Sequence, residues 1–455
     1  MRVLVCGATG CIGSAIAAGL RAHGHVVVAA HRGAPDHPDH LAIDYTESLT
    51  PVQWAQRLQA AGGFDVVVNA VGVLMPVGEA TFERVHTHGP IALLRGAALA
   101  GVRRIVQISA LGVGRGPEGL RTPYAMSKLL ADEALAEVGH ASSGRTDWAV
   151  VRPSLVYGPR SQSAALFRLL ASLPVVSLPG RGRQRVQPIH VTELAECVCR
   201  MVDHAAPIGR VIELAGPQVL GWRDMLACYR AAQGLAEPLW LPLPMPLMRL
   251  GAWCAQALPQ KVFSPDTLTM LERGNTTQRN GAREWLGRDA TPMQDALWHE
   301  PSTVGTLPAP LHFALRCTVS AMWLYTALVT AGLPQESRVL ELLARCGFEG
   351  QAGVAVMWAS CSLNTVLGLW LLLRPNAWAY AFQVAAVVGY TATAAWNMPE
   401  LTIDHCGPLI KNLPVLGLLV LLWATARGTR ARASANNRPH VEFAPAAVER
   451  RHRMV

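Results

Sequence analysis

Apolar and polar positions follow two regimes along the chain. Up to about residue 300, short apolar runs bounded by turn residues alternate with segments of helical period. The runs at 1–8, 25–32, 41–46, 64–72, 104–112 and 148–158 predict strands, and a first helix is predicted from about Cys11 to His23. Strand–helix alternation of this kind predicts an α/β fold, a Rossmann-type doubly wound parallel sheet. Residues 216–310 are richer in Pro, Trp and Met and read as a helical substrate-capping region and linker. Pro292, Pro301, Pro308 and Pro310 mark the passage into the more apolar C-terminal part.

From Ala314 the pattern changes. Long apolar stretches at about 314–333, 352–373, 376–397 and 410–426 each approach the ~20 residues that an α-helix needs to cross ~30 Å of hydrocarbon. Arg316 and Lys411 sit at their ends, where long side chains can reach the interface. A four-helix transmembrane bundle is therefore expected over 311–430, followed by a basic tail at 431–455. The last stretch is followed by Arg427, Arg430, Arg432, Arg438, Arg450, Arg451 and Arg453, and the second connection carries Arg374. The third connection carries Glu400 and Asp404. This distribution of basic residues predicts a cytoplasmic (inner) membrane protein with both termini cytoplasmic. The start, MRVLVCGATG, has too short and glycine-broken an apolar run for a cleavable signal. The same topology puts Cys346 and Cys406 in the two outward loops, where a disulfide between them is a hypothesis.

Composition sharpens this division. Charged residues are 16% against 51% hydrophobic, with a mean hydropathy of +0.24; soluble domains carry nearer ~25% charge, so a disordered or coiled-coil chain is excluded. The net charge of +9 is concentrated in the arginine tail, which suits anionic lipid. No aromatic-basic platform or reading helix accompanies it, so nucleic acid is not expected as a partner. Ten cysteines include no CxxC, and Cys197 and Cys199 fall on different helical faces, so no metal site is expected.

The residues that carry chemistry begin at Gly7-Ala8-Thr9-Gly10-Cys11-Ile12-Gly13, directly after a strand and opening a helix. Glycines allow the tight turn and a close approach of a pyrophosphate, which the helix N-terminus then holds with free N–H groups and its dipole. At the end of the second strand stand Ala30, His31 and Arg32, where an NAD site usually has an acid. A cation there would meet a 2′-phosphate, so NADP(H) is favoured over NAD(H). Tyr124 and Lys128 form a YxxxK pair, and the i,i+4 spacing puts both on one helical face. The ammonium can then lower the phenol's pKa, letting Tyr124 act as general acid/base. Ser109, at the end of the preceding strand, is placed to hold a substrate oxygen.

With the spacing GxxGxxG and Asn69-Ala70-Val71-Gly72, residues 1 to about 300 resemble the short-chain dehydrogenase/reductase superfamily in its extended or atypical branch, which includes epimerase/dehydratase-like members. The resemblance implies a Rossmann domain over 1–215, with Asn69, Ala70, Val71 and Gly72 beneath the cofactor and Asp44 near the adenine. It implies Arg152 and Pro153, in RPSLVYGP, beside the nicotinamide, and a helix of the substrate portion in IHVTELAECV from Ile189. Where that family usually has Asn before the serine strand, this chain has His86, with His88 two residues on. The span from Pro399 to Leu416, with Asn364, resembles the DoxX-like membrane family.

Three functions remain open. The first is a membrane-anchored NAD(P)(H)-dependent oxidoreductase acting on a carbonyl or hydroxyl of an apolar small molecule. The second is a nucleotide-sugar epimerase/dehydratase, for which Arg160, Arg168, Arg181, Arg183 and Arg185 could bind a diphosphate. The third is a non-catalytic scaffold of a membrane redox complex. The run LWLPLPMPLMRLGAWCAQALP at 239–259 reads either as buried capping helices or as contact with a lipid-like substrate or the bilayer.

Overall fold

A computed structural model describes residues 1–33, 39–116, 119–257, 262–300, 309–332, 336–403 and 409–426. The chain divides into two compact units, Met1–Ala232 with Leu239–Thr303, and Gln233–Pro238 with Val304–Val455.

The first unit is built on a seven-stranded parallel sheet. Strands β1 (Arg2–Cys6), β2 (Val26–His31), β3 (His40–Ala42), β4 (Val66–Asn69), β5 (Arg104–Ile108) and β6 (Asp147–Pro153) are joined by a seventh, Arg210–Leu214. Their spatial order is β3-β2-β1-β4-β5-β6, then Arg210–Leu214, every pair parallel. Both faces are covered, which is why the strands read as continuous apolar runs. Val3 and Val5 face the core beneath helix α1 (Cys11–Ala22) and the helix Val191–Asp203. Leu4 and Cys6 face the opposite core, with Trp54 and Leu58 of α2 (Pro51–Ala60), Leu93 and Leu94 of α3 (Gly89–Leu99), and Leu135 of α4 (Pro123–Ala141).

Two features depart from the sequence pattern. The seventh strand, RVIEL, is not marked by that pattern, because it opens on exposed Arg210 and Val211, carries Glu213, and buries only Ile212 and Leu214. The run at 239–259 is not made of buried helices: Leu239–Leu243 pairs in parallel with Val175–Pro179, and the α-helix Met245–Cys254, followed by a 3-10 turn at Ala255–Ala257, buries only Ala252 of its own residues. Pro242 is compatible with that strand because, among the described residues, the pair has no further neighbour to accept the N–H bond that proline lacks.

In the second unit, Pro310–Ala331 and Gly350–Leu373 are long and apolar enough to cross a membrane. They bury only 22% and 33% of their apolar windows, leaving Leu328, Val366 and Leu373 among many large side chains exposed. A helix of 21 residues follows at Ala377–Asn397. The last apolar stretch is shorter than expected: its helix, Asn412–Ala424, has 13 residues, about 20 Å at ~1.5 Å each. Pro414 accounts for its late start, since a proline lacking N–H is tolerated only in the first turn. Asn364 accepts a hydrogen bond from the Tyr390 hydroxyl on the next helix at 3.2 Å, and Trp323 Nε1 donates to Gln383 Oε1 at 2.9 Å. Asn364 is thus an interhelical tie. Cys406 and the arginine tail lie outside the described residues, as does any Cys346–Cys406 pairing.

Candidate functional site

The C-terminal edge of the sheet gathers the residues read as functional. Gly7 has φ +78°, and a Cβ on it would lie 3.0 Å from the Ala70 carbonyl oxygen. A Cβ on Gly13 would lie 2.1 Å from the Gly7 oxygen, so only glycine lets the helix start this close to the turn. Gly10 caps α1 without a side chain, and the first intrahelical bond is Ser14 N–H to the Gly10 oxygen. The N–H groups of Cys11, Ile12 and Gly13 therefore open the helix towards exposed Thr9 and Gly10, the geometry that accepts an anion. Burial raises the pKa of the Cys11 thiol; the charge of Glu300 adds to that shift, and those of Arg160 and Arg168 oppose it.

At the end of β2, His31 is half-buried and its Nδ1 accepts the Gly33 N–H at 3.1 Å, while Arg32 is exposed. Asp44 accepts both the N–H and the hydroxyl of Thr46 at 2.9 Å, a local turn beside β3. Asn69 is fully buried. Its amide donates to Gln107 at 2.8 Å, and its oxygen accepts from the Tyr45 hydroxyl at 2.8 Å and Val71 N–H at 3.3 Å. These bonds fix the strand end from which Ala70, Val71 and Gly72 continue.

Helix α4 presents the YxxxK pair. Thr122 caps it, accepting the Ala125 N–H, and Pro123 occupies its first position. Lys128 is buried, its Nζ donating to the Ile108 carbonyl at 3.1 Å; a Cβ on Gly72 would stand 3.1 Å from that nitrogen. Burial lowers the ammonium to about 8, a shift that the charge of Asp132 opposes. The Tyr124 phenol, expected to be lowered by its lysine, is instead pushed up to about 12 by burial and by Asp132. Near neutral pH it therefore carries its proton, as a general acid must.

His86 lies in a π-helical turn, Glu83–His88, ahead of α3, with its ring 5.3 Å from that of Tyr124. Its Nε2 accepts the Val73 N–H at 2.9 Å, and its Nδ1 lies 3.1 Å from Ser127 Oγ, whose proton goes to the Tyr124 carbonyl at 2.8 Å. Those partners fix the neutral Nδ1–H tautomer. Burial, and then the Lys128 charge, bring His86 down to about 2. It is a neutral connector between the Val73 loop and α4 and carries no proton traffic at ordinary pH. His88 belongs to the same turn without joining these bonds.

Ser109 is tied to α4. Its hydroxyl donates to Asp132 Oδ2 at 2.8 Å, and Asp132 stands eight residues, roughly 12 Å, along α4 from Tyr124. The same oxygen accepts Nε and Nη2 of Arg152 at 3.1 and 2.9 Å. The reason is electrostatic: Asp132 is buried, its Oδ1 has no partner among the described residues, and a buried carboxylate demands donors. Arg152, expected beside the cofactor, is thus held on Asp132, while Pro153 ends β6. Sequence reasoning missed Asp132 entirely, although its place one turn beyond Lys128 was a usable signal.

Comparisons with known proteins agree with this architecture. Residues 3–215 match the NAD dependent epimerase/dehydratase family, and residues 320–420 match the DoxX-like family. The 3-diazoavenalumate denitrifying reductase of Streptomyces sp. is 29% identical over 311 residues, covering 64% of this chain and 100% of that protein. Subunit 9 of the NADH dehydrogenase [ubiquinone] 1 alpha subcomplex of Arabidopsis thaliana is 24% identical over 278 residues, covering 57% of this chain and 65% of that protein. The chain spans 51% and 65% of the first curated relatives it matches. Among solved structures, that of gox2253 superposes with a TM-score of 0.50 at 21% identity, over 65% of this chain and 95% of that one, a likeness of fold.

Proposed function

We propose that this chain, which joins an NAD-dependent epimerase/dehydratase domain to a DoxX-like domain, is a membrane-anchored NAD(P)(H)-dependent oxidoreductase of the short-chain type. Its substrate is a carbonyl or hydroxyl of an apolar or membrane-associated small molecule. The observation that carries the reading is the convergence of Tyr124 and buried Lys128 on one face of α4, beside Gly72 and the glycine turn. Lys128 orients the cofactor ribose and Tyr124 delivers or takes the proton, while the dinucleotide supplies or accepts the hydride. Gly7, Thr9, Gly10, Cys11, Ile12 and Gly13 hold the pyrophosphate; His31 and Arg32 face the adenosine ribose and favour NADP(H), with Asp44 towards the adenine. Ser109 enters as a positioning group for Asp132 and Arg152 rather than as the donor to substrate. Four membrane crossings with both termini cytoplasmic complete the proposal.

The test uses the full chain purified in detergent: identify any co-purifying dinucleotide by absorbance and mass, then assay turnover with a panel of lipid, quinone and steroid carbonyls. Tyr124→Phe should keep cofactor binding and lose at least about a hundredfold in turnover; unchanged turnover refutes the assignment. A second reading, a cofactor-binding scaffold of a membrane redox assembly, draws on the similarity to an NADH dehydrogenase subunit. It predicts tight binding with no turnover of any carbonyl.

A further inference from the structure

The run at 239–254 turns outward. In the helix Met245–Cys254 only Ala252 is buried, while Leu247, Leu250 and Trp253 are 51%, 56% and 68% exposed. These three lie at positions that share one side of a helix, continued by Cys254. Met245, Met248 and Ala252 take the inner side, and Arg249 secures the helix through paired bonds of 3.0–3.2 Å to Glu272. The apolar side therefore faces outward.

Charge stands beside it. The Gly180 N–H donates to the Leu243 carbonyl at 2.8 Å, which places the Gly180–Gly182 turn at the entry to this helix. That turn opens a cavity of about 350 Å³ lined by Arg181, Arg183, Arg185 and Arg223 against the single acid Asp224. The Arg223 guanidinium lies 5.0 Å from the ring of Trp240, in the strand that leads into the helix. An exposed Leu/Leu/Trp face bordered by arginines has the chemistry of a helix lying in the headgroup region of an anionic bilayer. Helices long enough to span a bilayer belong to the same chain.

We infer that Leu247, Leu250 and Trp253 enter the surface of an anionic bilayer, with Arg181, Arg183 and Arg223 on its headgroups. The inference rests on the membrane tether and not on catalysis, so Tyr124→Phe leaves it unchanged. The full chain is reconstituted in nanodiscs of phosphatidylcholine alone or with one third phosphatidylglycerol. Modification of exposed Cys254 by a water-soluble maleimide is then followed by peptide mass spectrometry. Each arginine in reach of anionic lipid strengthens such contact about fivefold. Cys254 should therefore react at least about tenfold more slowly with phosphatidylglycerol present. The combined variant Arg181→Gln, Arg183→Gln, Arg223→Gln should abolish the difference, and Leu247→Ser with Leu250→Ser should restore fast labelling in both discs. Equal rates in both lipids overturn the inference, as does shielding that follows the number of protein copies per disc.

Discussion

His86 offers a quantitative test of how the site is wired. Neutral in the fold, it would have to place a second N–H against the Val73 donor in order to ionise, next to the Lys128 ammonium. Burial first, and then the Lys128 charge, bring its pKa from 6.5 down to about 2. The unfolded chain takes up a proton below its own pKa of ~6.5, and the folded chain does not until near 2. His86 therefore contributes nothing adverse above ~6.5, and stability drains away as pH falls from there towards 2. The cost is about 0.8 kcal/mol at pH 6 and about 2 kcal/mol at pH 5, at ~1.36 kcal/mol per pH unit. His86→Asn can still accept from Val73 and cannot titrate. Thermal unfolding of the full chain in detergent, followed at pH 7, 6 and 5 for wild type and variant, cancels every other titrating group in the difference. Wild type should lose about 2 kcal/mol more than the variant between pH 7 and 5, a drop of several degrees in Tm. Parallel losses in the two proteins would refute the neutral-connector assignment; His86→Gln repeats the test should the shorter amide fold poorly.

Three further outcomes follow from the same geometry. Ser109→Ala should leave turnover within about threefold while lowering stability by about 1–3 kcal/mol, because buried Asp132 loses a donor; a hundredfold fall in turnover at unchanged Tm would instead return Ser109 to the substrate. Arg32→Glu should reverse the ratio of NADPH to NADH affinity by at least about tenfold, measured by fluorescence titration, through repulsion of the 2′-phosphate and a new partner for the 2′-hydroxyl. Reductive turnover should fall as pH rises through about 8, where Lys128 loses its charge, and Lys128→Arg should move that limb above the measurable range.

Much of the framework was legible because periodicity and glycine spacing act locally. The strands β1 to β6, the turn at Gly7, and the shared face of Tyr124 and Lys128 follow from nearest-neighbour sterics and helical repeat. What stayed hidden depends on residues far apart in sequence. Nothing local says that the Ser109 hydroxyl serves Asp132, 23 residues away, or that Arg152 completes that group. The tautomer of His86 needs Val73 and Ser127, brought together only by the fold. The phenol's upward shift has the same origin: spacing reveals the lysine, but burial and the charge of Asp132 set the direction.

The sheet order also governs when the chain can fold as it is made. Arg210–Leu214 aligns with β6 across some sixty residues of sequence, and Trp285 and Leu286 pack into the core under α1. Parallel pairing of this span is slow to nucleate, since loop closure precedes the contacts that reward it. All of these parts precede Pro310, where the first long apolar helix begins. Synthesis from the N-terminus therefore delivers the whole of the nucleotide-type unit before any segment that calls for a membrane, so its folding runs ahead of insertion. A truncation between 301 and 309 would release a domain whose described core residues, Met293 and Leu297 included, are all present, while one before 285 would expose the face of the sheet beneath α1.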